Sequence, residues 1–114
     1  MGQDTLFLKI IRREIPADIV YETDDVLAFR DINPQAPVHI LVIPKQVITG
    51  IAAATTADES TLGKLLLAAK EVAEQEGLKN GYRLIINQGQ DGQQTVQHLH
   101  VHILGGRQLN WPPG

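Results

Sequence analysis

Apolar residues recur along the chain with two different periods, and the clearest pattern is helical. Segment 59–78 places an apolar side chain at every third or fourth position, which predicts one long amphipathic helix. The residues of this apolar stripe are Leu62, Leu65, Leu66, Ala69, Val72 and Ala73. Gly77 is placed to end the helix, because glycine tolerates the left-handed conformation that often follows a helix. A second, short helix is predicted over residues 4–16, ending at Pro16.

The remaining apolar segments are short and are separated by residues typical of turns. Strands are predicted as a pair around a turn at 23–25 within 17–32, and then over 38–45, 81–89 and 95–106. Residues 88–94 form a polar loop that contains glycine and no apolar residue. Because the strands lie before and after one long helix, the predicted class is α+β, with an antiparallel sheet covered on one face by that helix.

Composition narrows the classes of function. A chain of 114 residues predicts a single domain, 1–114. The net charge of −3 gives no basic excess and argues against nucleic acid as a partner, although backbone N–H groups alone are able to hold a small phosphate. The absence of cysteine excludes disulfides and thiolate metal sites. No segment has signal-peptide or membrane-spanning length, so we expect a soluble cytoplasmic protein with no membrane association.

Three of the four histidines alternate with apolar residues near the C-terminus. The segment "HLHVHIL", residues 98–104, carries His98, His100 and His102, and only His39 lies elsewhere. Alternate residues of a strand share one face, so the three imidazoles are predicted to line about 13–14 Å of a single face. The apolar residues between them are predicted to point into the core.

Three interpretations of this face stay open from the residues alone. The imidazoles are an exposed polar face, or His98 and His100 chelate zinc together with His39. The third interpretation is catalytic: one neutral imidazole attacks phosphorus and a second gives a proton to the leaving group. In that case the polar loop 88–94 supplies backbone N–H donors to a phosphate.

The chain resembles the histidine triad nucleotide-binding proteins over nearly its whole length. The resemblance rests on "HLHVHIL" together with "LFLKIIRREIPA", "VLAFRDINPQAPVHILVIPK" and "LIINQGQDGQQTVQHLHVHILGGRQLNWPPG". It implies an antiparallel sheet of about five strands with one long and one short helix, continued across a homodimer. It also implies hydrolysis of purine nucleoside phosphoramidates and acyl adenylates through a nucleotidyl-histidine intermediate, without a metal or other cofactor.

The resemblance assigns roles to all four histidines. His100 is the nucleophile, and the carbonyl of His98 accepts its Nδ1–H. His102 contacts the phosphate and the bridging atom, and His39 supports His102. A third histidine at 102 favours hydrolysis, because the uridylyltransferase branch carries glutamine there.

The nucleotide would be held by further residues that match the family pattern. Asp31 is expected to bind the ribose hydroxyls, and Asn87, Gln94 and Thr95 the phosphate. The expected base pocket consists of Phe7, Ile10, Ile15, Phe29, Ile32 and Leu41. Trp111 is expected to reach the leaving group in the partner subunit's site. Thr95 replaces the serine of many relatives, and Arg30 replaces a histidine found in some.

Other functions remain compatible with the sequence. They are a non-catalytic nucleotide-binding or regulatory protein, a dinucleoside polyphosphate hydrolase, and a zinc-binding protein.

Overall fold

A computed structural model describes residues 4–114, so the first three residues of the predicted domain lie outside it. It contains two α-helices, α1 (Leu6–Ile11) and α2 (Glu59–Gln75), and two short 3₁₀ turns, Ile51–Ala53 and Thr56–Asp58. The strands are β1 (Ile19–Glu22), β2 (Val26–Arg30), β3 (Val38–Pro44), β4 (Tyr82–Ile85) and β5 (Val101–Gly105). All neighbouring strands are antiparallel, in the order β1-β2-β3-β5-β4. The predicted class and the predicted strand and helix counts are confirmed.

Both faces of the sheet are covered, although the sequence predicted a helix over only one. The side chains on one face of the sheet pack against α2. They include Val26, Ala28, Ile40, Val42, Leu99, Val101 and Ile103. The side chains on the opposite face pack against Phe7 and Ile10 of α1. They are Leu27, Phe29, Leu41 and Ile43. The two-residue period of a strand separates these two cores. Most of the predicted site residues lie on the α1 face.

The end of α1 differs from the prediction, whereas the end of α2 agrees with it. Helix α1 is capped by the hydroxyl of Thr5, as the sequence allows, but it ends at Ile11, well before Pro16. Arg13 adopts a positive φ of 61°, which stops the helix before proline is reached. In α2, Gly77 has a φ of 72° and ends the helix as predicted. Leu66 was placed in the apolar stripe but is exposed, because Leu65 and Ala68 face the core instead.

The predicted strand 95–106 is much shorter, since β5 begins only at Val101. The backbone before it makes other hydrogen bonds: the N–H of Leu99 donates to the carbonyl of Ile48, 2.7 Å away. The carbonyl of His98 accepts from a side chain and not from a neighbouring strand. Strand β4 likewise covers only Tyr82–Ile85 of the predicted 81–89. Among the described residues, no helix is long and apolar enough to cross a membrane.

Candidate active site

The alternation of histidines with apolar residues places them as the sequence predicts, on one side of the sheet. Leu99, Val101 and Ile103 enter the α2 core, so the intervening imidazoles point toward α1. The ring of Phe7 on α1 meets His98 and His100 edge-on, with centroid distances of 6.2 and 4.9 Å. His98 is fully buried and His100 is 5% exposed. The open interpretation of a solvated polar face is therefore wrong.

His100 is held in the tautomer that leaves a nucleophilic nitrogen free. Its Nδ1 lies 2.7 Å from the carbonyl oxygen of His98, and since a carbonyl only accepts, Nδ1 carries the proton. The lone pair is therefore on Nε2. The His98 ring is anchored too, because its Nε2 donates to the carbonyl of Pro44 across 2.8 Å. Its buried Nδ1 has no hydrogen-bond partner among the described residues.

The other two histidines form a chain with the loop that follows β2. Nε2 of His39 lies 2.9 Å from Nδ1 of His102 and 3.4 Å from Oδ2 of Asp31. Nδ1 of His39 accepts the backbone N–H of Gln35 at 3.0 Å. Asp31 also accepts from the N–H of Asn33 at 2.8 Å, so it starts a local turn as well as facing the histidines.

All four imidazoles are neutral near pH 7. Burial lowers the pKa values of His39, His98 and His100, because a charged ring loses hydration in the protein interior. Burial, and then the neighbouring rings of His100 and His39, lower the pKa of His102 to about 4. The neutral ring of His102 offers a hydrogen-bond donor at its N–H, and a role of this residue toward a leaving group stays a prediction.

A cavity of about 230 Å³ opens between α1 and the sheet and reaches the histidines. Of the residues expected to bind the nucleotide or to react, it is lined by Phe7, Ile10, Ile15, Phe29, Asp31, Ile32, Leu41, Thr95, His100 and His102. The sequence analysis missed Leu6, Pro16, Ala17, Arg30 and Val96, which complete the lining. Most of these are apolar residues near the ends of helices or strands. The sequence gives no indication that such residues line a binding cavity. A larger hollow of about 510 Å³, beside the α2–β4 turn, is lined by no histidine.

The polar loop 88–94 is fastened to the segment that follows β3 by two glutamine side chains. Gln88 accepts the N–H of Ala52 at 2.9 Å, and Gln94 donates to the carbonyl of Thr49 at 2.7 Å. Gln94 is buried, and its oxygen also accepts the N–H of Gly89. Neither Gln94 nor Asn87 lines the cavity. The side chain of Gln94 therefore holds the loop, and contact of either residue with phosphate stays a prediction.

Trp111 lies outside the cavity of its own chain. Its ring is 79% exposed and lies under the guanidinium of Arg83, at 5.7 Å. Arg83 also donates to the carbonyl of Asn110 at 2.9 Å, which holds the C-terminal tail against β4. The predicted contact of Trp111 with a leaving group in the partner subunit's site stays a prediction.

The fold and the triad together define a known class of protein. The HIT domain model matches residues 12–109. An uncharacterized HIT-like protein of Synechococcus elongatus is 65% identical over 114 residues, which is the whole of both chains. The 14 kDa zinc-binding protein of Zea mays is 61% identical over 112 residues, covering 96% of this chain and 88% of that protein. The crystal structure of a HIT family hydrolase from Legionella pneumophila has a TM-score of 0.93 at 51% identity and covers 96% and 98% of the two chains.

The chain belongs to the HIT-domain family, and its fold is that of the family's hydrolases. The family that the sequence resembles is thus confirmed at the level of the HIT domain.

Proposed function

We propose that the protein hydrolyses purine nucleoside phosphoramidates, such as adenosine 5′-monophosphate linked to an amine, through a nucleotidyl-His100 intermediate. One observation carries the proposal: Nε2 of His100 is left with a lone pair by the hydrogen bond to His98, and the same ring lines an apolar cavity. A buried neutral imidazole is a good nucleophile. Asp31, also in the cavity lining, supplies a carboxylate that accepts the ribose hydroxyls.

The chemistry proceeds in two displacements at phosphorus. Nε2 of His100 forms a bond to phosphorus while the phosphorus–nitrogen bond of the substrate breaks. The amine leaves with the electron pair of that bond and takes a proton from solvent. The positive charge on the nucleotidylated ring is stabilised by the carbonyl of His98 at Nδ1. Water then attacks phosphorus, the bond to Nε2 breaks, and the electron pair returns to His100 with release of the mononucleotide and a proton.

His102 supports both displacements as a donor. It accepts from His39 at Nδ1, so its own proton is on Nε2, available to a phosphoryl oxygen or to the departing nitrogen. A donor aimed at the atoms where negative charge develops lowers the barrier without a change of protonation. Thr95 also lines the cavity, and its hydroxyl is proposed as a second donor to the phosphoryl group.

A zinc site is a second candidate, because the ligand atoms of Asp31, His39 and His102 lie within 4.8 Å of one another. Two of their separations, 2.9 and 3.4 Å, are close to the edge of about 3.3 Å expected for a zinc tetrahedron. The name of the maize relative points the same way. The donor set nevertheless does not fit, since the N–H of Gln35 occupies Nδ1 of His39 and leaves its Nε2 protonated. The set considered from sequence, His98 and His100 with His39, does not form a group of close ligand atoms among the described residues, where only Asp31, His39 and His102 do so.

The C-terminal tail is proposed to select among leaving groups. The indole of Trp111 is exposed, and its neighbours Pro112 and Pro113 limit the entropy lost when it docks. In a homodimer it would meet the amine of the partner's substrate. Truncation after Leu109 should then change the order of preference among phosphoramidates with different amines and leave affinity for adenosine monophosphate unchanged. An unchanged order of preference would assign the tail to stability alone.

Steady-state turnover of an adenosine phosphoramidate, measured beside a diadenosine polyphosphate and with EDTA present, separates the candidates. The proposal predicts faster hydrolysis of the phosphoramidate and no effect of EDTA. A preference for the polyphosphate would favour the dinucleoside polyphosphate hydrolase. Binding of adenosine monophosphate without turnover of either compound would favour a regulatory nucleotide-binding protein.

A further inference from the structure

The loop between β2 and β3 contributes a hydrogen bond that its sequence does not reveal. The backbone N–H of Gln35 donates to Nδ1 of His39 across 3.0 Å. Gln35 is held at two further points: Arg107 donates to its carbonyl across 3.0 Å, and its side-chain amide donates to the carbonyl of Asn33 across 3.0 Å. The donor is therefore fixed against a ring that is only 6% exposed.

This one donor determines where two rings carry their protons. A neutral imidazole has one N–H and one lone pair, and a backbone N–H cannot accept. Nδ1 of His39 must hold the lone pair, and its Nε2 holds the proton. Because that Nε2 lies 2.9 Å from Nδ1 of His102, His102 accepts there and keeps its own proton on Nε2.

We propose that the backbone N–H of Gln35 is a positioning group that sets the tautomers of His39 and His102. Without it, only the carboxylate of Asp31, 3.4 Å away, favours a proton on Nε2, and His39 can instead carry its proton on Nδ1 and accept from His102. The free nitrogen of His102 would then present a lone pair, which repels an anionic phosphoryl group. This consequence for catalysis rests on the proposed function, whereas the tautomers themselves do not.

The same hydrogen bond keeps divalent metal ions from the cluster of Asp31, His39 and His102. Metal binding requires a lone pair on Nε2 of His39, and the proton placed there by Gln35 prevents it. Removal of the Gln35 donor lets the proton move to Nδ1 and frees Nε2. Two of the separations between these ligand atoms, 2.9 and 3.4 Å, are close to the edge of a zinc tetrahedron, and all three atoms lie within 4.8 Å of one another.

Nitrogen-15 NMR of histidine-labelled protein tests the tautomers directly in the unaltered chain. We expect both His39 and His102 to carry the proton on Nε2 and to be unprotonated on Nδ1 at pH 7. Each ring is assigned by comparison with single replacements of histidine by glutamine. A proton on Nδ1 of His39 would overturn the inference, whatever the enzyme's activity.

Replacement of the Gln35 amide bond by an ester removes the N–H and keeps the side chain. We expect the proton of His39 to move to Nδ1, kcat for the phosphoramidate to fall about tenfold to a hundredfold, and affinity for adenosine, which has no phosphate, to stay the same. The variant Gln35→Ala keeps the N–H and should keep the Nε2 proton. An ester variant with native tautomers, or a Gln35→Ala variant with altered ones, would contradict the proposal.

Zinc titration gives a readout independent of turnover. The ester variant should bind zinc at least about tenfold more tightly than the unaltered chain, and Asp31→Asn should abolish that gain. Zinc bound equally well by the unaltered chain through Asp31 would show that Gln35 does not protect the cluster. If the tautomers and zinc binding behave as expected but no phosphoramidate is hydrolysed, the proposed function fails and the role of Gln35 stands.

Discussion

At the scale of single residues, neutrality of the histidines follows from where the chain buries them. A ring that is displaced from water titrates below its usual pKa, and neighbouring imidazoles add to this effect at His102. The alternation of histidines with apolar residues was enough to predict which residues are candidates for reaction. The hydrogen-bond partners were not, because the carbonyls of His98 and Pro44 and the N–H of Gln35 are backbone groups that any residue type provides.

Burial of His102 should make the protein less stable in acid. Its pKa is about 4 in the folded state and near 6.5 when unfolded, so both states are neutral above pH 6.5. Between these values only the unfolded state binds the proton, and the free energy of unfolding falls as the pH falls, by roughly 3 kcal/mol for this group. Below about pH 4 both states are protonated and this contribution changes no further. Urea denaturation at a series of pH values measures the decrease.

The variant His102→Gln provides the control for that experiment, because carboxylates also titrate in this range. It keeps a polar side chain that cannot be protonated, so its stability should depend less steeply on pH between about 6.5 and 4. Equal pH dependence in the two proteins would show that His102 is not the group responsible.

At the scale of elements, the site is built where regular structure stops. Strand β5 starts late because the backbone of His98 and Leu99 bonds to a side chain and to the carbonyl of Ile48. Periodicity of the sequence predicted the faces correctly and the length wrongly, since alternation of side chains persists without a hydrogen-bonded ladder. The sequence likewise predicted α2 well, because a long apolar stripe and a terminal glycine are strong local signals.

The polar loop should be sensitive to the loss of one glycine. A Cβ on Gly92 would lie 2.5 Å from the carbonyl oxygen of Gln88, so Gly92→Ala forces the loop backbone to move. We expect KM for the phosphoramidate to rise about tenfold, because a shift of about 1 Å in positioning groups has effects of this order or larger.

The matched control is Gly63→Ala on α2, where a Cβ meets nothing within 4 Å. This change should leave KM unaltered and stabilise the helix by up to about 1 kcal/mol. Thermal denaturation and steady-state kinetics of both variants make the comparison. Equal KM values for Gly92→Ala and Gly63→Ala would show that the loop does not bind substrate.

At the scale of the whole molecule, exposed apolar side chains support the expectation of a homodimer. Most of the α2 stripe is buried within the chain and is not available for association. Exposed apolar residues nevertheless include Leu66 and Leu67 on α2 and Tyr82, Leu84 and Ile86 on or beside β4. Strand β4 is an edge strand with one side unpaired within the sheet, and such an edge favours pairing with another copy.

We therefore predict a dimer of twice the 12.5 kDa chain mass by light scattering at micromolar concentration. The change Leu84→Lys places a charge on the edge strand and should shift the protein toward monomer. Val47→Lys, at an exposed apolar residue after β3, should remain dimeric. A monomeric unaltered chain, or equal effects of both changes, would remove the β4 edge as the interface.

The proposed mechanism depends on covalent nucleotidylation of His100. The direct measurement mixes the protein with an adenosine phosphoramidate, stops the reaction in alkali, because phosphohistidine bonds are labile in acid, and maps the adduct by mass spectrometry. We predict one adenylyl group on His100, and no adduct in a folded His100→Ala variant whose kcat falls roughly 10⁴- to 10⁶-fold. An adduct on another residue, or near-normal turnover by His100→Ala, would contradict the account.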